Sequence, residues 1–280
     1  KLSIFLMSDL VTGSITGVAK QYETLGLDVT FPGLSGRPNS YQWKRDGSPI
    51  SGATASTYTL SQLDVGKPIT VEVEYIFRSR LCSFCEWDYA IVEWTSTATS
   101  NVENVNDAPT NLSISTSNFD ENVAGGSVVA TLISSDIDAG DSHTYSLVSG
   151  VGATDNIAFT IDGNQLKILS SPDFETKSSY SIRLQTTDSG GLTFEESFTL
   201  RVNGENEDPT DLFLSASSFD ENIEDDSAVL TLSAKDQDFG DAHTYSLISG
   251  DGDTDNSAFT IDGDQLKINA SPDYETQDSY

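Results

Sequence analysis

Ala158-Phe-Thr-Ile-Asp-Gly-Asn-Gln-Leu-Lys-Ile168 decides the fold of this chain. Phe159-Thr-Ile and Gln165-Leu-Lys-Ile alternate apolar and polar residues, as on a half-buried strand, and Asp162-Gly163 between them is a type I′ hairpin signal. The same stretch returns 100 residues later as Ala258-Phe-Thr-Ile-Asp-Gly-Asp-Gln-Leu-Lys-Ile268. Working outward, Thr110–Tyr180 and Thr210–Tyr280 align without a gap at that offset, with roughly three positions in five identical. Each copy follows a proline, Pro109 or Pro209, and a period of this length is a whole domain rather than a solenoid unit.

The rest of the first copy is also strand-like. Ser127-Val-Val-Ala-Thr-Leu-Ile, Tyr180-Ser-Ile-Arg-Leu-Gln-Thr and Thr193-Phe-Glu-Glu-Ser-Phe-Thr-Leu-Arg-Val are rich in β-formers, and no segment sustains a helical period. Short strands with frequent turns in a domain of this size predict a Greek-key β-sandwich. The fold class expected is therefore all-β: tandem sandwiches in an extended array, with domains at 1–105, 106–205 and 206–280. The second copy lacks everything equivalent to Ser181–Asn203, so it is expected to be a truncated repeat, unless a partner strand completes its sheet.

Composition narrows the function classes. The net charge is −30, and its distribution is uneven: residues 1–105 carry −3 and residues 106–280 carry −27. A surface of this sign repels phosphate backbones, which argues against nucleic acid as a partner, and the excess calls for a countercharge such as metal. No apolar run approaches the roughly 18 residues of a membrane span. The chain begins at Lys1 without a secretory pattern, so it reads as a piece of something longer whose signal lies outside it.

The acids recur at predicted element ends. Glu121 lies in Phe119-Asp-Glu-Asn, Asp173 and Glu175 flank Phe174, Asp136, Asp138 and Asp141 crowd one loop, and Asp188 precedes Ser189-Gly-Gly. Turns attract Asp by themselves, so any one of these reads equally well as a turn former. Together they supply the oxygen-rich set, roughly six to eight ligands, that Ca²⁺ takes. An EF-hand is excluded: in the loop starting at Asp136 the glycine is fifth rather than sixth, and Leu147 stands where a bidentate Glu is required.

In combination these motifs resemble the cadherin repeat, in its bacterial cadherin-like variety. The resemblance covers residues 106–280 and implies calcium at the domain junctions. Glu121, Asp173 and Glu175 of the first repeat would join Glu205, Asn206 and Glu207 of the linker and Asp236 and Asp238 of the next repeat. By the same correspondence Asn106, Asp107, Asp136, Asp138 and Asp188 would serve the preceding junction. The linkers depart from the family pattern, since Asn104-Val-Asn-Asp-Ala-Pro109 is one residue short of the animal form and Glu207 replaces an Asp.

Residues 11–105 carry a different pattern. Tyr41-Gln-Trp-Lys-Arg-Asp-Gly, then Thr57-Tyr-Thr-Leu, then Lys67-Pro-Ile-Thr-Val-Glu-Val suit a sandwich with a Trp on a central strand. The segment resembles the immunoglobulin-like domains that accompany cadherin-like repeats in bacterial surface proteins. One stretch stands apart, because Arg78, Arg80, Phe84, Trp87 and Tyr89 concentrate where a short polar tip is expected. It reads either as a contact for a glycan or protein ligand or as side chains packed on the sandwich. Cys82 and Cys85 within it read as a local disulfide in preference to a redox or half-zinc motif, given the inferred export and no second ligand pair.

Catalysis finds little support: paired carboxylates for glycoside hydrolysis could hide among so many acids, yet the acids are repeated per domain, which a single active site would not need. His143 and His243 occupy equivalent repeat positions, as structural residues do, and no nucleophile elbow, phosphate loop or paired-histidine metal motif occurs. The reading that results is a non-enzymatic, calcium-dependent stalk segment of a large secreted or cell-surface, membrane-associated adhesin, whose partners are neighbouring repeats of its own chain. The alternative is a set of accessory modules of a secreted enzyme such as a polysaccharide hydrolase.

Overall fold

The computed structural model describes residues 11–30, 36–79 and 88–280. They fall into two compact units, the first made of the described residues up to 112 with 134–144 and 186–194, the second of 113–133 with 145–185 and 195–280, so the division runs through the first repeat. No α-helix occurs among the described residues, and none of their helical turns is long and apolar enough to cross a membrane.

The N-terminal domain contains β1 (Thr12–Thr16), β2 (Thr24–Thr30), β3 (Gly36–Arg45), β4 (Ser48–Pro49), β5 (Tyr58–Thr59), β6 (Ile69–Ser79) and β7 (Asp88–Thr95). They make two sheets of order β1-β2-β5 and β4-β3-β6-β7. Alternation along β6 explains the core: Ile69, Val71, Val73, Tyr75 and Phe77 are buried at every second position, while Thr70, Glu72 and Glu74 between them are not. Each such burial stabilises by about 1.5–3 kcal/mol. Trp43 on β3 is fully buried, stacks on Tyr58 at 5.9 Å and donates its indole N–H to the Ala55 carbonyl at 2.9 Å. Gly36 is required opposite Phe77, because a Cβ there would overlap the ring.

Among the described residues of this domain one charged side chain is buried. Asp64 is 0% exposed and accepts from Arg45 Nε (2.7 Å), Tyr58 Oη (2.9 Å), and the Ser61 N–H (2.7 Å) and hydroxyl (2.8 Å). Burial by itself would push the carboxyl up, but Arg45, Ser61 and Tyr58 together hold it below its ordinary value.

The first repeat contains β8 (Asn111–Ile114), β9 (Asn118–Asp120), β10 (Val128–Ser135), β11 (Thr144–Leu147), β12 (Phe159–Asp162), β13 (Gln165–Ile168), β14 (Ser179–Thr187) and β15 (Thr193–Asn203). Its sheets run β12-β13-β10-β8 and β11-β14-β15-β9, with β9 parallel to β15. Phe159, Leu166, Ile168, Ile182, Leu184, Leu200 and Val202 are buried from both sheets, and Tyr180 meets Phe119 and Phe159 ring to ring.

The second repeat contains β16 (Asp211–Leu214), β17 (Ala228–Lys235), β18 (Phe259–Asp262) and β19 (Gln265–Ile268) in one sheet, β16-β17-β19-β18. The aromatic cluster returns at the same offset as Phe219, Phe259 and Tyr280. The segments matching β9 and β11 are not strands here. Their pairing partners in the first repeat are β15 and β14, of which the second copy carries only Ser279 and Tyr280, matching Ser179 and Tyr180. Leu212 is 63% exposed, where its counterpart Leu112 is 2%.

The deciding hairpin closes one residue later than its composition predicts. Asp162 pairs with Gln165, so the two-residue turn is Gly163-Asn164 rather than Asp162-Gly163. Only the first of these has positive φ, +59°, and Gly263 repeats it at +64°, which is the type II′ pattern and not type I′. Asp162 instead reaches back as the ion-pair partner of Lys167, at 2.7 Å.

Candidate metal centre

Glu121 is positioned by the turn that ends β9. The next residue, Asn122, takes a left-handed φ of +60°, and Asn222 repeats it at +57°, which explains an Asn after Asp-Glu in both copies. The turn buries Glu121 to 2% exposure, where its oxygens accept from the Phe174 N–H at 2.8 Å and the Glu205 N–H at 2.6 Å. Asp173 and Glu175 arrive from the loop after β13. Asp173 accepts the Thr176 N–H and hydroxyl, both at 2.8 Å, which hold its carboxyl below the usual range.

The linker after β15 brings Glu207, and the loop after β17 brings Asp238, whose Oδ2 accepts the Glu207 N–H at 2.8 Å. Two groups of carboxylates result, each with one oxygen per residue within 4.8 Å: Glu121, Asp173 and Glu175, then Glu175, Glu207 and Asp238. Glu175 belongs to both. Burial, then the charges of Glu121, Asp238 and Glu175, push the Glu207 carboxyl up, against a hydrogen bond from Asn122. Glu207 Oε2 is buried without a hydrogen-bond partner. An all-oxygen cluster with a buried, unsatisfied carboxylate oxygen fits a hard divalent cation.

Not every expected ligand joins these groups. Asp236 instead takes His243 Nε2 on its Oδ2 at 2.9 Å, which lowers its carboxyl first, with the Asp238 N–H adding to the effect. Glu205 offers its backbone N–H, and the Asn206 side chain donates to the Glu207 carbonyl at 3.0 Å. The histidines that the repeat marks as structural therefore touch the acidic loop itself. Their fixed spacing of seven residues after Asp136 and Asp236 is the signal that could have found this.

A third group, Asp136, Asp138 and Asp141, forms in the loop after β10. Asp141 Oδ2 is buried without a hydrogen-bond partner, and Asp136 Oδ2, also buried, has only His143 Nε2 nearby at 3.5 Å, as an ion-pair contact. Asp138 is 8% exposed and accepts from Asn104 Nδ2 (2.8 Å), the Asp107 N–H (2.7 Å) and Gln62 Nε2 (3.4 Å). Asp188 accepts from Asn106 Nδ2 (2.9 Å) and the Leu192 N–H (2.8 Å); against the upward push of burial, these bonds hold it low. Asp107 points elsewhere, its carboxylate taking Tyr22 and Gln21. A further group, Glu221, Asp273 and Glu275, lies outside the expected ligand set and repeats the first group 100 residues on, with all three residues exposed. Arg80, Cys82, Phe84, Cys85 and Trp87 lie outside the described residues, as do the side chains of Arg78 and Tyr89.

Asn106 gives one test. A Cβ added at Gly190 would overlap the Asn106 side chain. Gly190→Ala is expected to push Asn106 off Asp188 and cost about 1 kcal/mol, read as a lower melting temperature and a shifted Asn106 amide resonance. An unchanged resonance would show that the two residues are not in contact.

Comparison with solved structures places this fold. Mouse cadherin-23 EC22-24 matches over 94% of this chain and 90% of its own, at 20% identity and a TM-score of 0.51. Human desmocollin-1 matches over 85% of this chain and 48% of its own, at 16% identity and 0.48. Human protocadherin-24 EC1-2 matches over 56% and 74%, at 23% and 0.43. The chain spans about half the length of the desmocollin-1 ectodomain it matches. No family model and no curated protein matches the sequence. The chain has a cadherin-like β-sandwich fold.

Proposed function

We propose that this chain is a calcium-stiffened segment of a secreted or cell-surface adhesion protein, without catalytic activity, in which ions held at the junctions set the stiffness of tandem sandwiches. The convergence of Glu121, Asp173, Glu175, Glu207 and Asp238, with Glu207 Oε2 buried and unsatisfied, carries this reading. Like charges at that spacing repel, and a bound cation converts the repulsion into shared ligation. Glu175, common to both groups, would bridge neighbouring ions. The Asp136, Asp138 and Asp141 loop, with Asn104 or Asn106 and Asp188 nearby, would hold an ion on the first repeat. The immunoglobulin-like reading of residues 1–105 is supported by three- and four-stranded sheets around Trp43.

Calcium titration by calorimetry tests the proposal. The expected result is binding near the 10⁻⁴–10⁻³ M of extracellular modules, weaker for magnesium, which resists dehydration. Glu175→Gln changes one exposed side chain and should abolish the sites at residues 121–238. Calcium binding that is absent, or unaltered in Glu175→Gln, overturns the reading.

A further inference from the structure

We infer that the N-terminal domain is fastened to the first repeat by a clasp of neutral donors from Gln21, Tyr22 and Gln62, which holds without any divalent cation. Its contacts at Asp107 involve none of the carboxylates grouped as ion ligands, while Gln62 also touches Asp138 of the Asp136, Asp138 and Asp141 group. Glu207 of the second linker corresponds to Asp107 of the first, yet the two carboxylates have opposite surroundings. Glu207 faces Glu175 and Asp238, with Glu121 also adding to the repulsion. Asp107 faces Tyr22 Oη, at 2.7 and 2.8 Å from its two oxygens, and Gln21 Nε2 at 3.0 Å. Gln62 Nε2 meets the neighbouring loop at the Ile137 carbonyl (3.1 Å) and Asp138 (3.4 Å). Among the described residues, no carboxylate of the N-terminal domain joins a cluster there.

The clasp is built and not incidental. Gln21 is 1% exposed and uses both ends, donating to Asp107 and accepting the Val105 N–H at 3.0 Å on its Oε1. The linker beside it is stitched to the domain by parallel bridges, Lys20 to Glu103 and Val65 to Val102. The Glu103 N–H donates to Ala19 (2.8 Å) and the Gln21 N–H to Glu103 (2.9 Å). Tyr22 itself takes a left-handed φ of +69°, a conformation disfavoured for a bulky residue. That strain is retained where it delivers the hydroxyl to Asp107. Neutral donors satisfy a carboxylate without a second charge, so withdrawing cations leaves the bonds to Asp107 intact.

Hydrogen exchange on the whole 280-residue chain, followed by mass spectrometry in calcium and in EGTA, tests the clasp. Peptides spanning 103–108 are expected to exchange equally slowly in both. Tyr22→Phe with Gln62→Ala should speed their exchange at least tenfold in EGTA, while β6 peptides stay protected and certify the fold. If β6 loses protection, Tyr22→Phe alone, which deletes one hydroxyl from an exposed ring, supplies the comparison. Peptides spanning 203–208 report separately on the calcium reading. Loss of protection at 103–108 in the parent on adding EGTA, or no acceleration in the variant, overturns the clasp.

Discussion

Replacing Asp64 by Ala is expected to destabilise the N-terminal domain by about 3–5 kcal/mol, well beyond what a substitution at an exposed position would cost. The substitution removes the acceptor for four hydrogen bonds and leaves the Arg45 guanidinium without its counterion. Arg45 retains 25% side-chain exposure and can turn toward water, which favours the lower end of that range. For a domain of this size the melting temperature should fall by roughly 12–24 °C. Asp64→Asn keeps the volume and one acceptor, so it should lose less. Acid should remove the same stability in the parent. The carboxyl is held below its ordinary value when folded, so its contribution is present above the unfolded value of about 3.9 and is lost as pH falls through the folded value. Denaturant melts of parent and Asp64→Ala across pH 2–8 check this: their difference should be constant near neutrality and shrink below about pH 4. A difference that persists undiminished at pH 2 would mean that the ionised carboxylate is not what stabilises the site.

Such a site is illegible in the sequence for a physical reason. Local alternation in Phe159-Thr-Ile and Gln165-Leu-Lys-Ile announces strands, because the inward face of a strand is set by neighbours two residues away. The partnership of Asp64 depends on Arg45, 19 residues earlier and on another element, and nothing at that spacing marks it. The turn at Gly163 departs by one residue from its compositional signal for a related reason. Asp-Gly is a turn signal by composition, but the ladder from Phe159 to Ile168 and from Asp162 to Gln165 fixes the register and moves the glycine to the first turn position.

The carboxylates fall between these extremes. Repetition exposes them, since Glu121, Asp173, Glu175 and Asp238 each recur or have a counterpart one repeat away. Repetition does not reveal that the N-terminal domain answers Asp107 with Tyr22 and Gln21, because that domain is not a copy of the repeats and contributes different chemistry to an equivalent linker. The two linkers thus look alike in sequence and differ in what their acids face. One is expected to respond to chelation and the other to be indifferent to it.

That difference should appear as a large, localised effect of calcium on stability. An ion bound only when Glu121, Asp173, Glu175, Glu207 and Asp238 are assembled stabilises by RT ln(1 + [L]/Kd), about 2.7 kcal/mol when calcium is a hundredfold above Kd. Spread over one repeat, that corresponds to a melting temperature roughly 10–20 °C higher in calcium than in EGTA. Magnesium should restore less of it, because the ion parts reluctantly with its waters. In EGTA, added sodium chloride should recover a fraction by screening the uncompensated carboxylates, whereas in calcium the same salt should do little. Glu175→Gln relieves repulsion and removes the shared ligand at once, so it should melt no lower than the parent in EGTA yet gain almost nothing from calcium. Scanning calorimetry of parent and variant in calcium, magnesium and EGTA measures all of these. The crossing matters more than either shift alone. A residue that merely decorates a turn would change both melts by the same small amount, whereas a ligand lowers the calcium melt and spares the other. Identical parent melts in calcium and EGTA would leave these acids as solvated turn residues and remove the basis for the proposed stiffening.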